Sequence, residues 1–538
     1  MQKNNSSIRT ASTAKASRTV RVTGARTPVF MIGIDGADWE LVQRLMAEDK
    51  LPTLAHLMSQ GCYGKLDSPA DEYAGGVWPD FYTGQSVAHH GIYHNKLWRQ
   101  EQMRCEVPTD HWLGSRPFYE ALSEQGYRVC VLDMPMVLGS PRPLNGIYLG
   151  GWSTHDLIAK GASPSGLWQQ LQSTYGAPIM PAEHFGRQSV HSLLLLRDHL
   201  LQATEQMAQI GVDLLGSENW DFGCVILGAA HRAGHYLWDD SQVENASVSE
   251  REEISAALEA IYVACDKALG QLLSVVPENA LKVVFAVHGM KQNHGWGDLG
   301  ADLLEGILHK SQRQKPRRGL LYEVRRRLPF HLVRPLLSRL PHAVTDRLVQ
   351  LWSANMYDWQ TTPYFPLPMD QAGYIRINLK GREKNGIVEP GAKYQQLCDE
   401  LEQYLLSLQD ADSGHAIVRK VIRAWLEAPE DAPARDVLPD LVVIWGDKPT
   451  RETRCVESDR LPGFAVRVPD HNISGRSGNH VGCGWFVAQG PDLIHKGKID
   501  GYSIRDLAPA VFNTMGATPL KYFESQVSLW QQEVADDY

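Results

Sequence analysis

The 538-residue sequence has no run of about 18 apolar residues, which argues against a membrane-spanning helix. Its first 26 residues also lack the apolar stretch of a secretory signal. A soluble, cytoplasmic protein is therefore the expectation. Cysteine is sparse: eight residues lie scattered between Cys62 and Cys483, with no C-x-x-C pair, which argues against a zinc ribbon or a disulfide framework and for free thiols in a reducing compartment. Positive charge is not in excess. The formal charge of -9 excludes a generally basic nucleic-acid binder. Internal repeats are missing, as are a P-loop or dinucleotide fingerprint around Gly75-Gly76 and a Ser-His-Asp signature on a nucleophile elbow.

What is present begins with two local charge exceptions. Residues 1–26 hold Lys3, Arg9, Lys15, Arg18, Arg21 and Arg26 with no acid and much Ser and Thr, so they are read as a disordered basic leader. An organelle transit peptide is the alternative. Between Lys310 and Arg347 eleven Lys or Arg stand against Glu323 and Asp346, and apolar residues recur at helical spacing between prolines. This reads as a helical basic insertion over 310–354. It is either a solvated face or a candidate lid whose arginines meet an anionic substrate, an acidic partner or a membrane surface. The remainder, 27–309 and 355–538, is expected to form one large catalytic domain; 43% hydrophobic residues suffice for a sizeable core.

Short apolar runs alternate with helical periodicity. Val29 to Ile34, Tyr127 to Asp133, Phe222 to Leu227, Leu281 to Ala286 and Leu441 to Trp445 read as buried strands; Leu193 to Met207 and Ile254 to Leu273 read as helices. The fold class is therefore α/β, with a mostly parallel central sheet flanked by helices on both faces. In such sheets ligands bind beyond the carboxyl ends of the strands. Asp35, His231 and His288 all fall just past such ends.

His231 and His235 stand four apart, so on a helix both imidazoles share one face and can converge on one cation. His288 follows a strand, and Gly289 permits a sharp turn after it. His480 lies in what reads as a Gly- and Ser-rich loop before the strand Gly484 to Ala488. Each is weak alone, since a single His is more often structural. Together they make a ligand set. His89 and His90 are read as packing or ligand-orienting residues, Asp239 and Asp240 as turn residues, and Trp78 and Trp98 as core or pocket lining.

Several motifs fall in one order: Gly33-Ile34-Asp35-Gly36, Tyr82-Thr83-Gly84, His90-Gly91-Ile92-Tyr93-His94-Asn95, Gly373 to Glu383, Leu438-Pro439-Asp440, Gly490-Pro491 and Ile504 to Pro509. With them the chain resembles the type I phosphodiesterase/nucleotide pyrophosphatase branch of the alkaline phosphatase superfamily, from about Val29 to about Leu529. The resemblance implies an alkaline-phosphatase-like fold and a metal-dependent hydrolase with two metals and a Thr or Ser nucleophile. By position it implies Asp35 and His288 on one metal, His231, His235 and His480 on the other, and Asn95 as an amide donor toward a phosphoryl oxygen.

The chain also departs from that pattern. Where the family has Asp, it has His231 and Val287; where the nucleophile should stand it has Ala74, and Tyr73 to Trp78 contain no Ser or Thr. The expectation is one firm three-histidine site that suits Zn²⁺, with Fe²⁺, Mn²⁺ or Cu²⁺ as alternatives. A metal-bound hydroxide would then replace the side-chain nucleophile. A second metal position should be weak or absent unless Asp71, Glu72, Asp38 or His294 completes it. The leading expectation is a hydrolase of a phosphodiester or related small anionic ester. The alternatives are a catalytically silent binding homologue and a three-histidine site recruited for redox work.

Overall fold

The computed structural model describes residues 27–138, 142–154, 160–181, 186–217, 219–243, 245–311 and 357–530, apart from 492, 494 and 528. The basic leader and residues 312–354 of the expected insertion lie outside the described residues. The expected boundary at 310 falls inside the helix Trp296–Ser311, whose apolar face, including Leu303, Leu304 and Ile307, is buried and carries the chain past that point.

Val29–Ile34 is apolar at every position and buried on both faces, which is the pattern of a strand at the centre of a covered parallel sheet. It pairs in parallel with Phe222–Leu227 on one side and Leu281–Ala286 on the other. Val129–Leu132 and Gly146–Gly150 extend the parallel set, while Cys483–Gln489 runs antiparallel to Leu281–Ala286. Among the described residues the sheet has ten strands. Side-chain alternation splits the core in two: Val29 and Met31 enter one cluster with Trp78 and Phe81, and Phe30, Ile32 and Ile34 enter the other with the helices Val190–Ser217 and Val248–Leu273. Both helices run longer than their periodic cores suggested, because a Ser247 capping box starts the second well before its first buried residue, Ile254.

One expected strand belongs elsewhere. Leu441–Trp445 sits in a separate four-stranded antiparallel sheet with Tyr364–Pro366, Gly373–Ile377 and Val418–Ile422. This cap sheet has its own apolar core with the helices Trp296–Ser311 and Ala392–Leu406. A two-stranded ribbon, Gly289–Gln292 against Gly478–Val481, joins the regions. All eight cysteines are free, and no described helix is long and apolar enough to cross a membrane.

Candidate metal centre

Five predicted ligands converge. Asp35 leaves the end of Val29–Ile34 beside Gly36, whose φ is +69° and where a Cβ would lie 2.8 Å from the Cα of His231; only glycine lets the two segments meet. The helix Ala229–Tyr236 presents His231 and His235 one turn apart, as the spacing predicted. Gly234 lies between them, and a Cβ there would come 2.8 Å from Cγ of Met290, so the ribbon closes directly on the helix and brings His480 with it. His480 is thus a strand residue paired with Met290, not a loop residue as its composition suggested.

The ring nitrogens settle into a definite arrangement. Nδ1 of His231 lies 2.8 Å from Oδ2 of Asp35, and Nδ1 of His235 lies 3.0 Å from the carbonyl oxygen of Gly478. Both oxygens only accept, so both Nδ1 atoms carry the proton and, in the neutral rings, both Nε2 atoms are bare. Those two bare nitrogens stand 3.0 Å apart, and Nε2 of His480 is also 3.0 Å from that of His231. Nδ1 of His288 donates to the carbonyl of Gly289 at 3.0 Å, which turns its Nε2 toward Oδ1 of Asp35 at 3.3 Å. Lone pairs facing at such distances repel unless a cation or proton lies among them. Around a tetrahedral ion with ligand distances of ~2.0–2.1 Å, neighbouring nitrogens sit about 3.3 Å apart, close to what is found. His231, His288 and His480 satisfy a mutual spacing of 4.8 Å. The donor set therefore fits a divalent cation.

Asp35 touches both His231 and His288, and His231 touches His235 and His480, so the five residues form one connected cluster. Asp35 engages His231 through Nδ1, the side away from the other rings, in the manner of a carboxylate that orients a ligating imidazole. Trp78 adds a donor, its indole N–H lying 3.2 Å from Oδ1 of Asp35. Sequence reading placed Trp78 only in core or pocket lining; nothing local marked it as a partner of Asp35.

Burial favours neutral rings at His235 and His480, while Asp35 is held as an ionised carboxylate. Burial lowers His235 well below the usual imidazole value, with Arg476 and the neighbouring rings acting in the same sense. Burial also lowers His480 well below it, aided by His288, His231 and Arg476. Asp35 is pushed up by burial, but attraction and hydrogen bonding from His231 and His288 win and hold it well below the usual carboxylate range. The side chain of His231 is 12% exposed against 2% for that of His288, so the cluster opens to solvent at His231.

Other predicted residues stand apart from the cluster. Ala74 opens a single 3₁₀ turn, and a Cβ on the adjacent Gly75 would lie 2.7 Å from the Cα of His94, so the bend carrying Asn95 packs against the residue next to Ala74. Asn95 is exposed in that bend. Glu72 faces the cap, its carbonyl accepting from the Tyr374 hydroxyl and its carboxyl raised by burial; it does not join the histidines. Asp71 pairs with Lys291, and Asp38 caps the helix Trp39–Ala47 through Leu41. His294 lies in a small cavity beneath the cap. His90 donates to Asp80 at 2.7 Å and accepts from Ile92 N–H, which locks the turn, and His89 pairs with Glu524.

The sequence matches the Type I phosphodiesterase / nucleotide pyrophosphatase family over residues 29–453, and the chain belongs to that family. Curated proteins give no match. Among solved structures, human ectonucleotide pyrophosphatase/phosphodiesterase 5 is 12% identical with a TM-score of 0.44, covering 92% of this chain and 96% of that one. Phosphonoacetate hydrolase from Sinorhizobium meliloti 1021, in complex with phosphonoformate, is 14% identical with a TM-score of 0.47, covering 91% and 96%.

Proposed function

We propose that the chain is a divalent-cation-dependent hydrolase of a phosphodiester or related small anionic ester, in which water takes the place of a side-chain nucleophile. The observation that carries this is the pair of bare Nε2 nitrogens of His231 and His235, 3.0 Å apart, with His480 equally near. Zn²⁺ suits this nitrogen-rich set best; Fe²⁺ or Mn²⁺ are the alternatives. When bound, such a cation acidifies a water and offsets phosphoryl charge. The chain's own residues do the rest. His231, His235, His288 and His480 hold the cation as neutral rings, and Asp35 fixes the His231 ring and balances charge. The exposed edge of His231 is where an anionic ester reaches the centre. Ala74 offers only a methyl group, which leaves the attack to water, and Asn95, on the neighbouring bend, is assigned to a phosphoryl oxygen.

Turnover of bis(p-nitrophenyl) phosphate tests the reading. Chelation should abolish it, Zn²⁺ should restore it, and His235→Ala should lower it by roughly 100-fold or more. Full turnover by His235→Ala would refute the proposal. A second reading, a binding protein without turnover, is favoured by Ala74 and by Val287 in place of a carboxylate. It predicts product from no phosphate, phosphonate or sulfate ester even with the cation bound.

A further inference from the structure

A carboxylate beside a cation can either ligate it or orient a residue that does, and what its two oxygens meet decides between the roles. Oδ2 of Asp35 takes the Nδ1 proton of His231 at 2.8 Å. Oδ1 lies 3.3 Å from Nε2 of His288, but that nitrogen, when it ligates, has no proton to give. Asp35 is buried, so no bulk water makes up the difference. Left bare, Oδ1 would draw the carboxylate round toward the cation. Among the described residues one further donor meets Oδ1: the indole N–H of Trp78, at 3.2 Å. An indole nitrogen only donates, so the direction of this contact is fixed whatever proton the rings carry.

The fold builds a seat for that donor. Trp78 is the second residue of the helix Val77–Thr83 and is 3% exposed. Its ring meets those of Phe81 and Phe285 edge to face, with centroids 5.8 Å and 6.2 Å away. Phe285 lies on the strand beside Val29–Ile34, level with Gly33. A Cβ on Gly33 would come 3.2 Å from Cζ of Phe285 and 2.5 Å from Cδ1 of Ile226. The glycine two residues before Asp35 thus makes room for the ring that supports the indole. Held from two sides, the N–H stays aimed at the carboxylate.

We propose that Trp78 is a positioning residue of the metal centre: its N–H occupies Oδ1 of Asp35, which keeps Oδ2 on His231 and makes the carboxylate an orienting group instead of a ligand. This rests on the reading that the histidines hold a cation. The influence of Trp78 on that cation passes through Asp35, and this separates it from a residue that only packs.

A double-mutant cycle tests the proposal, with the zinc affinity of the full chain read in competition with a chromophoric chelator. Trp78→Phe keeps an aromatic ring and removes the N–H; it should lower the affinity by roughly threefold to tenfold. In an Asp35→Ala background the same change should cost less than about twofold, because no carboxylate is left to orient. Equal losses in the two backgrounds would show that Trp78 acts by packing, and would overturn the proposal. Should Asp35→Ala not fold, Co²⁺ reports on the single variant. A carboxylate released to ligate alters the donor set, so the visible bands of Co²⁺-loaded Trp78→Phe should differ from those of the parent chain. Identical bands would overturn the proposal as well. Failure of the underlying reading looks different: a parent chain that retains no zinc removes the cation, and this role of Trp78 with it.

Discussion

At the scale of single residues, the protonation of each ring follows from what holds its far nitrogen. The Asp35 carboxylate and two backbone carbonyls take the Nδ1 protons of His231, His235 and His288, and this leaves the Nε2 atoms as donors to a cation. Asp35→Asn keeps the shape but removes the charge, so the affinity for Zn²⁺ should fall about 10- to 100-fold in competition with a chromophoric chelator while the far-UV spectrum is unchanged. An affinity equal to that of the parent chain would show that Asp35 does not orient His231. Acid acts through the same rings. His94, His235, His294 and His480 are all lowered, chiefly by burial. Between the folded values and the unfolded value of about 6.5 the unfolded chain binds more protons, so stability rises with pH. Metal-free protein should hold its urea midpoint above about pH 7 and lose stability progressively from about pH 6.5 downward; a midpoint flat from pH 7 to 5 would contradict these shifts. The i, i+4 pair and the two strand-end ligands were readable in the sequence because their geometry is local. The Trp78–Asp35 contact and the closure of His480 on His231 were not, since they join segments 43 and 249 residues apart.

Among elements, the informative departure is Leu441–Trp445. Its run of buried apolar residues is the same signal that a central parallel strand gives, and periodicity alone does not say which sheet receives it. What places it in the cap is polar: Asp440, fully buried, accepts from Ile377 N–H at 2.6 Å, from the Tyr394 hydroxyl at 2.7 Å and from Arg382 at 2.9 Å. Arg382 also reaches Glu383, which takes the Trp98 indole N–H at 2.8 Å and so ties the cap to the main domain. Removing one partner leaves a buried charge unpaired. Asp440→Ala should therefore destabilise by about 3–5 kcal/mol in urea unfolding, whereas removal of an exposed pair such as Lys498 with Asp500 should leave the unfolding midpoint nearly unchanged. A small effect at Asp440 would mean the network is relaxed by water.

Over the whole molecule, the proposed ligands come from residues 35, 231, 235, 288 and 480, so the centre is assembled only when the central sheet, the helix Ala229–Tyr236 and the ribbon have all come together. A cation bound there is bound only by the folded chain. At 1,000 times its dissociation constant it should add about 4 kcal/mol to stability. The α/β class and the covered parallel sheet were legible in the alternation of apolar runs and helical periods; the cap and the ribbon were not, because antiparallel partners distant in sequence leave no periodic mark. The central claim is that these imidazoles share one cation. Zinc K-edge X-ray absorption on protein loaded with one equivalent tests it most directly. The account predicts a nitrogen-dominated shell at about 2.0–2.1 Å with imidazole outer scattering that is lost in His231→Ala; an unchanged shell in that variant, or no retained zinc in the parent chain, would contradict it.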